Sequence, residues 1–410
     1  MRTEPNRALQ EARPQVIAAL AAHLRDIDRA EDAFADACAA YLETHAAPRS
    51  LEAWLIAVGK RKAIDAIRKE NAETRAIEAE AAVHPKESDM GEVIAFPDPI
   101  PDERLRLIFI CCHPAIALEA RAALALKVIC GLPVVEIARV FVTSEQAMFQ
   151  RITRAKAKIH DAGIAFELPQ PKHWGERLEA VLLTLELAYT VTYQDAAFAR
   201  PGIDSAQVSD DVERLSRMLA ELCPKEPEVL GLAALVILAK SRDKARVDTN
   251  GVMVPLSEQD TGKWDVNRIE SARDLLHNAA RYEQPGPHQV MALIQLTHAR
   301  RIYDELVDWD AIVELYDALA LMRPSAIVAL NRAVAIGQRD GAAAGLLEFE
   351  KLPSKKLATV RTYHTANADL QRRLGRQSAA IAAYRRALDL DPAPAEKRFL
   401  ELRCAQQQPG

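Results

Sequence analysis

Glycine is sparse in this chain of 410 residues, with 15 in all, and Phe, Trp and Tyr together make up only 5%. Runs of alternating β-branched and aromatic residues between Gly-rich turns are scarce, which argues against a sheet-based fold. The six cysteines, Cys38, Cys111, Cys112, Cys130, Cys223 and Cys404, have no paired C-x-x-C spacing and read as small buried hydrophobes. Cys111, Cys112 and His113 are adjacent, but neighbouring residues on a helix point about 100° apart and do not converge on one ion. No metal and no other cofactor is therefore expected. The sequence contains no G-x-x-x-x-G-K-[ST], H-E-x-x-H or G-x-S-x-G pattern, so enzyme chemistry has no foothold. The longest apolar run, Val229 to Ala239, is too short to cross a bilayer, and no apolar leader is visible. The expectation is a soluble, cytoplasmic protein with no membrane partner. Positive charge is not in excess either: the formal net charge is -5, so any contact with nucleic acid has to come from local basic patches.

What the chain does have is helix-forming residues. Ala, Leu, Glu and Arg recur throughout and 49% of residues are hydrophobic, which favours a folded, all-α protein of two or three domains at this length. From Pro14 to Arg75 apolar residues fall at helical spacing: Val16, Ile17, Leu20 and Leu24, then Phe34, Ala37, Cys38 and Tyr41, then Leu51, Trp54, Leu55, Val58, Ile64 and Ile67. Pro48 and Ser50 mark a loop and a helix start before the third run. Asn71 to Pro99 loses the periodicity, is rich in Glu and Ala, and ends in Pro97 and Pro99, with Pro101 just beyond. It reads as a helix extension followed by a flexible linker. A second part runs from Asp102 to about Phe166, and the stretch Leu-Pro-Gln-Pro-Lys at 168 to 172 separates it from everything downstream.

Within the second part, Gly131 to Ile159 reads GLPVVEIARVFVTSEQAMFQRITRAKAKI, the layout of a helix-turn-helix whose second helix can lie in a DNA major groove. Ile137, Ala138, Val140 and Phe141 supply an apolar face for the first helix. Thr143 or Ser144 can cap the second, and Thr143-x-x-Gln146 has capping-box spacing. With Met148, Ile152 and Ala155 facing inward, Gln146, Phe149, Gln150, Arg151, Thr153, Arg154 and, further along, Lys156 are left for the outside. Gln can pair with adenine, Arg with guanine or phosphate, and Phe can touch a thymine methyl. The bland alternative is a solvated basic helix face.

These blocks, taken in order, resemble a known family. AEDAFADACAAYL (30 to 42) and LEAWLIAVGKRKAIDAIRK (51 to 69) resemble the second conserved region of extracytoplasmic-function sigma factors, and ALALKVICGLPVVEIARVFVTSEQAMFQRITRAKAKI (123 to 159) resembles their fourth region. IPDERLRLIFICCHPAI (100 to 116) and the long extension resemble the subgroup that carries a tetratricopeptide-like domain. The resemblance implies a transcription initiation factor that binds core RNA polymerase. Its helix-turn-helix would meet the minus-thirty-five element of promoter DNA, and its first module would capture the melting minus-ten element. It assigns Lys60, Arg61, Lys62, Arg68 and Lys69 to the phosphates and Glu31, Asp32 and Asp36 to a basic polymerase surface. Trp54 reads as a core residue rather than a stacking platform. The chain departs from the family pattern in four places. Val142 replaces the glycine of the helix-turn-helix turn, Ala35-Asp36 replaces a Gln-Glu pair, and in the extension Tyr189-Thr190-Val191-Thr192-Tyr193 and Glu258-Gln259-Asp260-Thr261 replace two polar stretches.

The expected organisation is a region-two-like domain at 1–75, a linker at 76–100, a region-four-like helix-turn-helix at 101–167, a helical adaptor at 173–280 and helical repeats at 281–410. Tyr282, Tyr316 and Tyr384 lie 34 residues apart or at twice that interval, and Pro324 and Pro392 are 68 apart, which is two tetratricopeptide periods. The best unit is residues 368 to 392, where Gly375 is expected to let two helices pack closely. A weaker unit holds Trp309, Leu315, Tyr316, Leu319 and Pro324, and the copy between is degenerate. Such pairs bury their apolar faces by stacking and leave a concave surface for a protein or ligand. Two rival readings are a helix-turn-helix regulator that works without polymerase and a repeat scaffold.

Overall fold

The computed structural model describes residues 3–44, 48–80, 102–141, 143–161, 173–195, 205–304 and 306–407. Among them there is no strand; one isolated bridge pairs Val247 with Met253, and the all-α expectation holds. The linker residues from 81 onward, the 168–172 separator and Val142 lie outside the described residues. The chain forms two compact units, Met1–Val191 and Thr192–Gly410. The division falls inside the stretch expected to be the adaptor.

In the first unit, α1 (Thr3–Leu24), α2 (Ile27–Thr44) and α3 (Leu51–Glu80) pack on one another. Val16, Ile17 and Leu20 of α1, Ala30 and Ala37 of α2 and Leu55 of α3 have no exposed surface. Gly59 sits at the crossing: a Cβ there would stand 3.0 Å from Leu20 Cδ1 and 3.2 Å from the Ala33 carbonyl. Ile64 is among the apolar residues at helical spacing, which would turn it toward the core. It is instead partly exposed, and Ala63 takes the inward position. Trp54 meets Tyr41 edge to face at 5.7 Å, the packing role expected of it.

The chain continues through α4 (Glu103–Cys111), α5 (Leu118–Val128), α6 (Val134–Val140), α7 (Glu145–Asp161) and α8 (Gly175–Asp195). Asp102 caps α4 by accepting the Arg104 and Leu105 N–H groups at 2.7 and 3.3 Å, and from Arg104 to Cys111 every side chain but Arg106 is buried. One side of α4 meets α1, while Phe109 packs on Trp174 at 5.1 Å ahead of α8. Cys111 and Cys112 are both fully buried, and burial pushes the Cys112 thiol up to about 12.

The second unit is built on α10 (Pro227–Lys240), with α9 (Ser205–Leu222), α11 (Val266–Ala280) and α12 (Pro287–Ala299) packed around it. The apolar run 229–239 is the interior of α10 and is buried on every side, as a helix that is apolar all round must be. Gly231 allows α12 to approach: a Cβ there would stand 2.6 Å from the Gln289 N. In the segment Glu258-Gln259-Asp260-Thr261, Glu258 pairs with Arg403, and Asp260 accepts the Gly262 N–H. Trp264 follows, buried beside Arg242 and Arg301, whose guanidinium carbons lie 6.0 and 5.5 Å from its ring centre. Burial and the charges of these two arginines drive the nearby His298 down to about 4.

The remaining helices are α13 (Arg301–Asp304), α14 (Trp309–Met322), α15 (Ala326–Arg339), α16 (Ala342–Glu350), α17 (Ser354–Leu357), α18 (Arg361–Arg373), α19 (Gln377–Leu388) and α20 (Pro394–Gln406). They stack as hairpins, α12 with α14, α15 with α16 and α18 with α19, and α20 packs on the last. The eighth residue of each second helix is aromatic: Tyr316, Phe349 and Tyr384. A proline, Pro324, Pro353 or Pro392, follows each of them. Tyr282 is not in register, because it lies in the turn after α11 and is partly exposed. The middle copy escaped the sequence pattern because Phe replaces Tyr and its second helix is only nine residues long.

Gly375 does not act as a packing contact. It has φ +73 in the turn between α18 and α19, and nothing lies within 4 Å of where its Cβ would be. The small residues of that hairpin's core are Ala368 and Ala380, which share a buried cluster with Tyr384. Close approach occurs at Gly345 instead, where a Cβ would stand 2.6 Å from the Gly337 Cα. Gly345→Ala should therefore destabilise by overpacking, about 1–3 kcal/mol, and Gly345→Asn by more. Gly375→Ala should cost about 1 kcal/mol for its left-handed backbone alone, and Gly375→Asn should recover most of that. Urea denaturation of the four variants checks the pattern, and an Asn that is worse than Ala at 375 would contradict it.

Candidate nucleic-acid interface

The helix-turn-helix is α6 followed by α7. Gly131, at φ +67, turns the chain after α5, and Pro133 opens α6, where a missing N–H costs no helical bond. Ile137 and Ala138 of α6 are buried. The Phe141 N–H ends the helix on the Ile137 carbonyl at 3.1 Å, and the Thr143 N–H donates to the Ala138 carbonyl at 2.9 Å. Ser144 is the cap of α7. Its Oγ accepts the Ala147 N–H at 3.2 Å and its carbonyl accepts the Met148 N–H at 3.0 Å.

Met148, Ile152, Ala155 and Ile159 are buried against α5 and α6, which fixes how α7 is turned about its axis. Gln146, Phe149, Gln150 and Thr153, spaced three and four residues apart, then share the opposite face. All four are exposed, Phe149 by 61%, and Arg154 beside them is exposed too. Lys158, one turn beyond Arg154, is exposed as well, and the other two cations of the helix lie on the flanks. On one side Arg151 donates to Glu119 of α5 at 2.8 Å, with its guanidinium 5.7 Å from the Phe141 ring. On the other side Lys156 donates to Asp28 at 2.8 Å and to Glu31 at 2.6 Å, both on α2. Burial opposes the Lys156 charge, but these two bonds outweigh it and hold the ammonium above its ordinary value.

The other expected residues lie on α2 and α3. Asp32 and Asp36 are exposed four residues apart, one turn of α2. Glu31 is turned inward and accepts from Arg13 at 2.8 Å as well as from Lys156. On α3, Arg61, Lys62, Arg68 and Lys69 are exposed in two stripes of seven-residue spacing. Lys60 is half-buried, close enough to His23 that its charge adds to burial in lowering that imidazole. The structure thus brings Glu31 and Lys156 together while leaving Asp32, Asp36 and the outer face of α7 open. Asp28 and Glu119 carry the flanking ion pairs, and sequence reasoning missed both. No local signal marks them, because Lys156 lies 128 residues from Asp28 and Arg151 lies 32 from Glu119.

Comparison with known proteins assigns two segments. Residues 106–159, from within α4 to the last turn of α7, match the family "Sigma-70, region 4". Residues 177–280, from α8 to the end of α11, match a family of unknown function, DUF6596. An uncharacterized protein of Rhizobium meliloti (strain 1021) is 40% identical over 400 residues, covering 96% of this chain and 94% of the relative. The chain belongs to one family with that rhizobial protein, and its region 4 places it among sigma-70 family factors. A DNA-binding role in transcription follows from that domain. Among the described residues no helix is long and apolar enough to cross a membrane.

Since the cap is the Ser144 hydroxyl and Thr143 contributes a backbone bond, Ser144→Ala should cost about 1 kcal/mol and Thr143→Ala much less. Chemical denaturation of both variants tests the assignment, and equal losses would refute it.

Proposed function

We propose that this protein is an initiation factor of the extracytoplasmic-function type, which binds core RNA polymerase in the cytoplasm and directs it to particular promoters. The observation that carries the reading is the region 4 match on a helix-turn-helix whose buried Met148–Ile152–Ala155 row leaves Gln146, Phe149, Gln150, Thr153 and Arg154 facing outward. In this reading Gln150 and Gln146 read base edges, Phe149 meets a thymine methyl, and Arg154 and Arg151 track phosphate. The exposed cations Arg61, Lys62, Arg68 and Lys69 on α3, with Lys60 behind them, follow the backbone of the melting element. Asp32 and Asp36 offer charge to a basic polymerase surface, joined by Glu31 when it is free. The three stacked hairpins, whose second helices begin at 309, 342 and 377, support a tetratricopeptide-like extension that modulates activity by holding a protein or ligand.

Run-off transcription with purified full-length protein and core polymerase from a related bacterium should give promoter-dependent transcripts. Promoter binding without any transcript would favour a helix-turn-helix regulator instead. The residue roles make a separate prediction. Gln150→Ala should relax preference at one base position by roughly 1–3 kcal/mol, while Arg154→Ala should weaken binding to all sequences and lower the salt slope by about one. Promoter-binding titrations at several salt concentrations, with the protein on core polymerase, measure both. Unchanged selectivity and slope would move the DNA surface off α7.

A further inference from the structure

We infer that the second unit holds a binding site for a small hydroxycarboxylate, formed where Arg242, Trp264 and Arg301 meet. The site would serve the modulation proposed for the extension, but binding itself does not depend on the initiation reading. Three segments converge there. Arg242 follows the end of α10, and the Asp265 N–H donates to the Ser241 carbonyl at 2.8 Å, which brings Trp264 back beside that end. Gln295, His298 and Arg301 recur every three residues along α12 and into α13, so they share a face. Both guanidinium carbons lie within 6.0 Å of the Trp264 ring centre, and Arg242 and Trp264 are only 3% and 4% exposed. Arg301 donates to the Leu256 and Gln259 carbonyls at 2.5 and 3.3 Å, and Arg242 donates to Gln295 Oε1 at 2.5 Å. These acceptors are neutral. They orient the two guanidinium forks without cancelling their charge, and charge withdrawn from water calls for a counter-charge.

Two more atoms define what the counter-charge must carry. Trp264 Nε1, a donor, and Gln259 Oε1, an acceptor, are buried and have no hydrogen-bond partner among the described residues. Gln259 is 7% exposed, and its amide nitrogen already donates to the Val254 carbonyl at 3.1 Å, which leaves the oxygen as the open end. Buried polar atoms in folded proteins nearly always find a partner. Two guanidiniums and an indole N–H make a donor set that suits the two oxygens of a carboxylate. The Gln259 oxygen asks in addition for a ligand that donates. An ammonium is disfavoured beside two fixed positive charges, whereas a hydroxyl carries no such penalty. The same charges, with burial, keep His298 neutral. The chemistry therefore favours a small organic acid bearing a hydroxyl over an amino acid. The segment that carries Gln259 also reaches α20, where the Met253 N–H donates to the Ala395 carbonyl at 3.1 Å and Glu258 pairs with Arg403. An acid that fixes Gln259 and Arg301 thus tightens the segment on which the last helix rests.

Calorimetric titration of the full-length chain with lactate, malate, acetate, alanine and inorganic phosphate tests the site. A hydroxy acid should bind saturably with a single site per chain, and acetate, alanine and phosphate should bind about tenfold more weakly or not at all. Gln295→Glu sets a carboxylate against Arg242 while keeping the acceptor in place. It should weaken hydroxy-acid binding by about tenfold and raise the melting temperature of the ligand-free chain. Trp264→Phe removes the unpartnered donor and keeps an aromatic ring, so it should weaken binding by about tenfold in a chain that still melts cooperatively. Groups that serve folding alone would give no saturable heat with any of these acids. The absence of such heat up to about 10 mM acid, acetate or phosphate binding as tightly as the hydroxy acids, or undiminished binding by Gln295→Glu each overturns the site. Run-off transcription is read separately. Binding with no transcript keeps the site and removes the initiation reading, and transcripts with no binding do the reverse.

Discussion

The burial of Met148, Ile152, Ala155 and Ile159 against α5 and α6 is the constraint from which the functional surface follows. A helix can present only one face once the opposite one is fixed. Rotating α7 by a single residue would bring at least two of these side chains to water, at roughly 2–5 kcal/mol for each large one lost from its site. That cost selects Gln146, Phe149, Gln150 and Thr153 for the outside and sends Arg151 and Lys156 to the two flanks. The cations on the flanks meet carboxylates there: Glu119 lies on one side, and Asp28 and Glu31 lie on the other.

The same logic, at a larger scale, governs the second unit. Helix α10 is apolar on every side and could not be stable alone in water, so α9, α11 and α12 exist around it as a jacket. From α12 onward each hairpin covers the open face of the one before. The aromatic at the eighth position of each second helix, Tyr316, Phe349 or Tyr384, packs with the core of its own hairpin. Stability of this kind is passed from neighbour to neighbour, which is why a helix such as α20 is needed beyond α19 to cover the last apolar face.

Local periodicity made much of this legible. The three apolar runs before residue 70 are α1, α2 and α3, and the spacing of Ile137, Met148, Ile152 and Ala155 is enough to place the two helices of the helix-turn-helix and to pick the outward face. What could not be read were relations between distant parts. Nothing near Lys156 announces that Asp28 and Glu31 will meet it, because that contact depends on how α1 seats against α4. Gly375 was misread for a related reason. A glycine between two helical patterns serves equally well for a left-handed turn or for a close crossing, and only the neighbouring helix decides which. Ile64 fits the apolar pattern of α3 yet lies partly outside the core, because Ala63 occupies the inward position there.

The charge distribution bears on why such a protein would act with a partner rather than alone. The net charge is -5, and the outer face of α7 carries neutral Gln, Phe and Thr, with two exposed cations beside them, Arg154 and Lys158. Sequence-independent affinity for DNA grows with the number of phosphates neutralised, and here Lys156 is engaged by two carboxylates of α2 while Arg151 shares its charge with the exposed Glu119. On the proposed reading, α7 is therefore suited to choosing among sequences more than to holding DNA, and most of the binding free energy has to come from the polymerase to which the factor is bound. A recognition surface that is selective but weak has a physical advantage in this role: it discriminates between promoters while the complex is assembled, and the isolated factor does not sequester DNA without the enzyme.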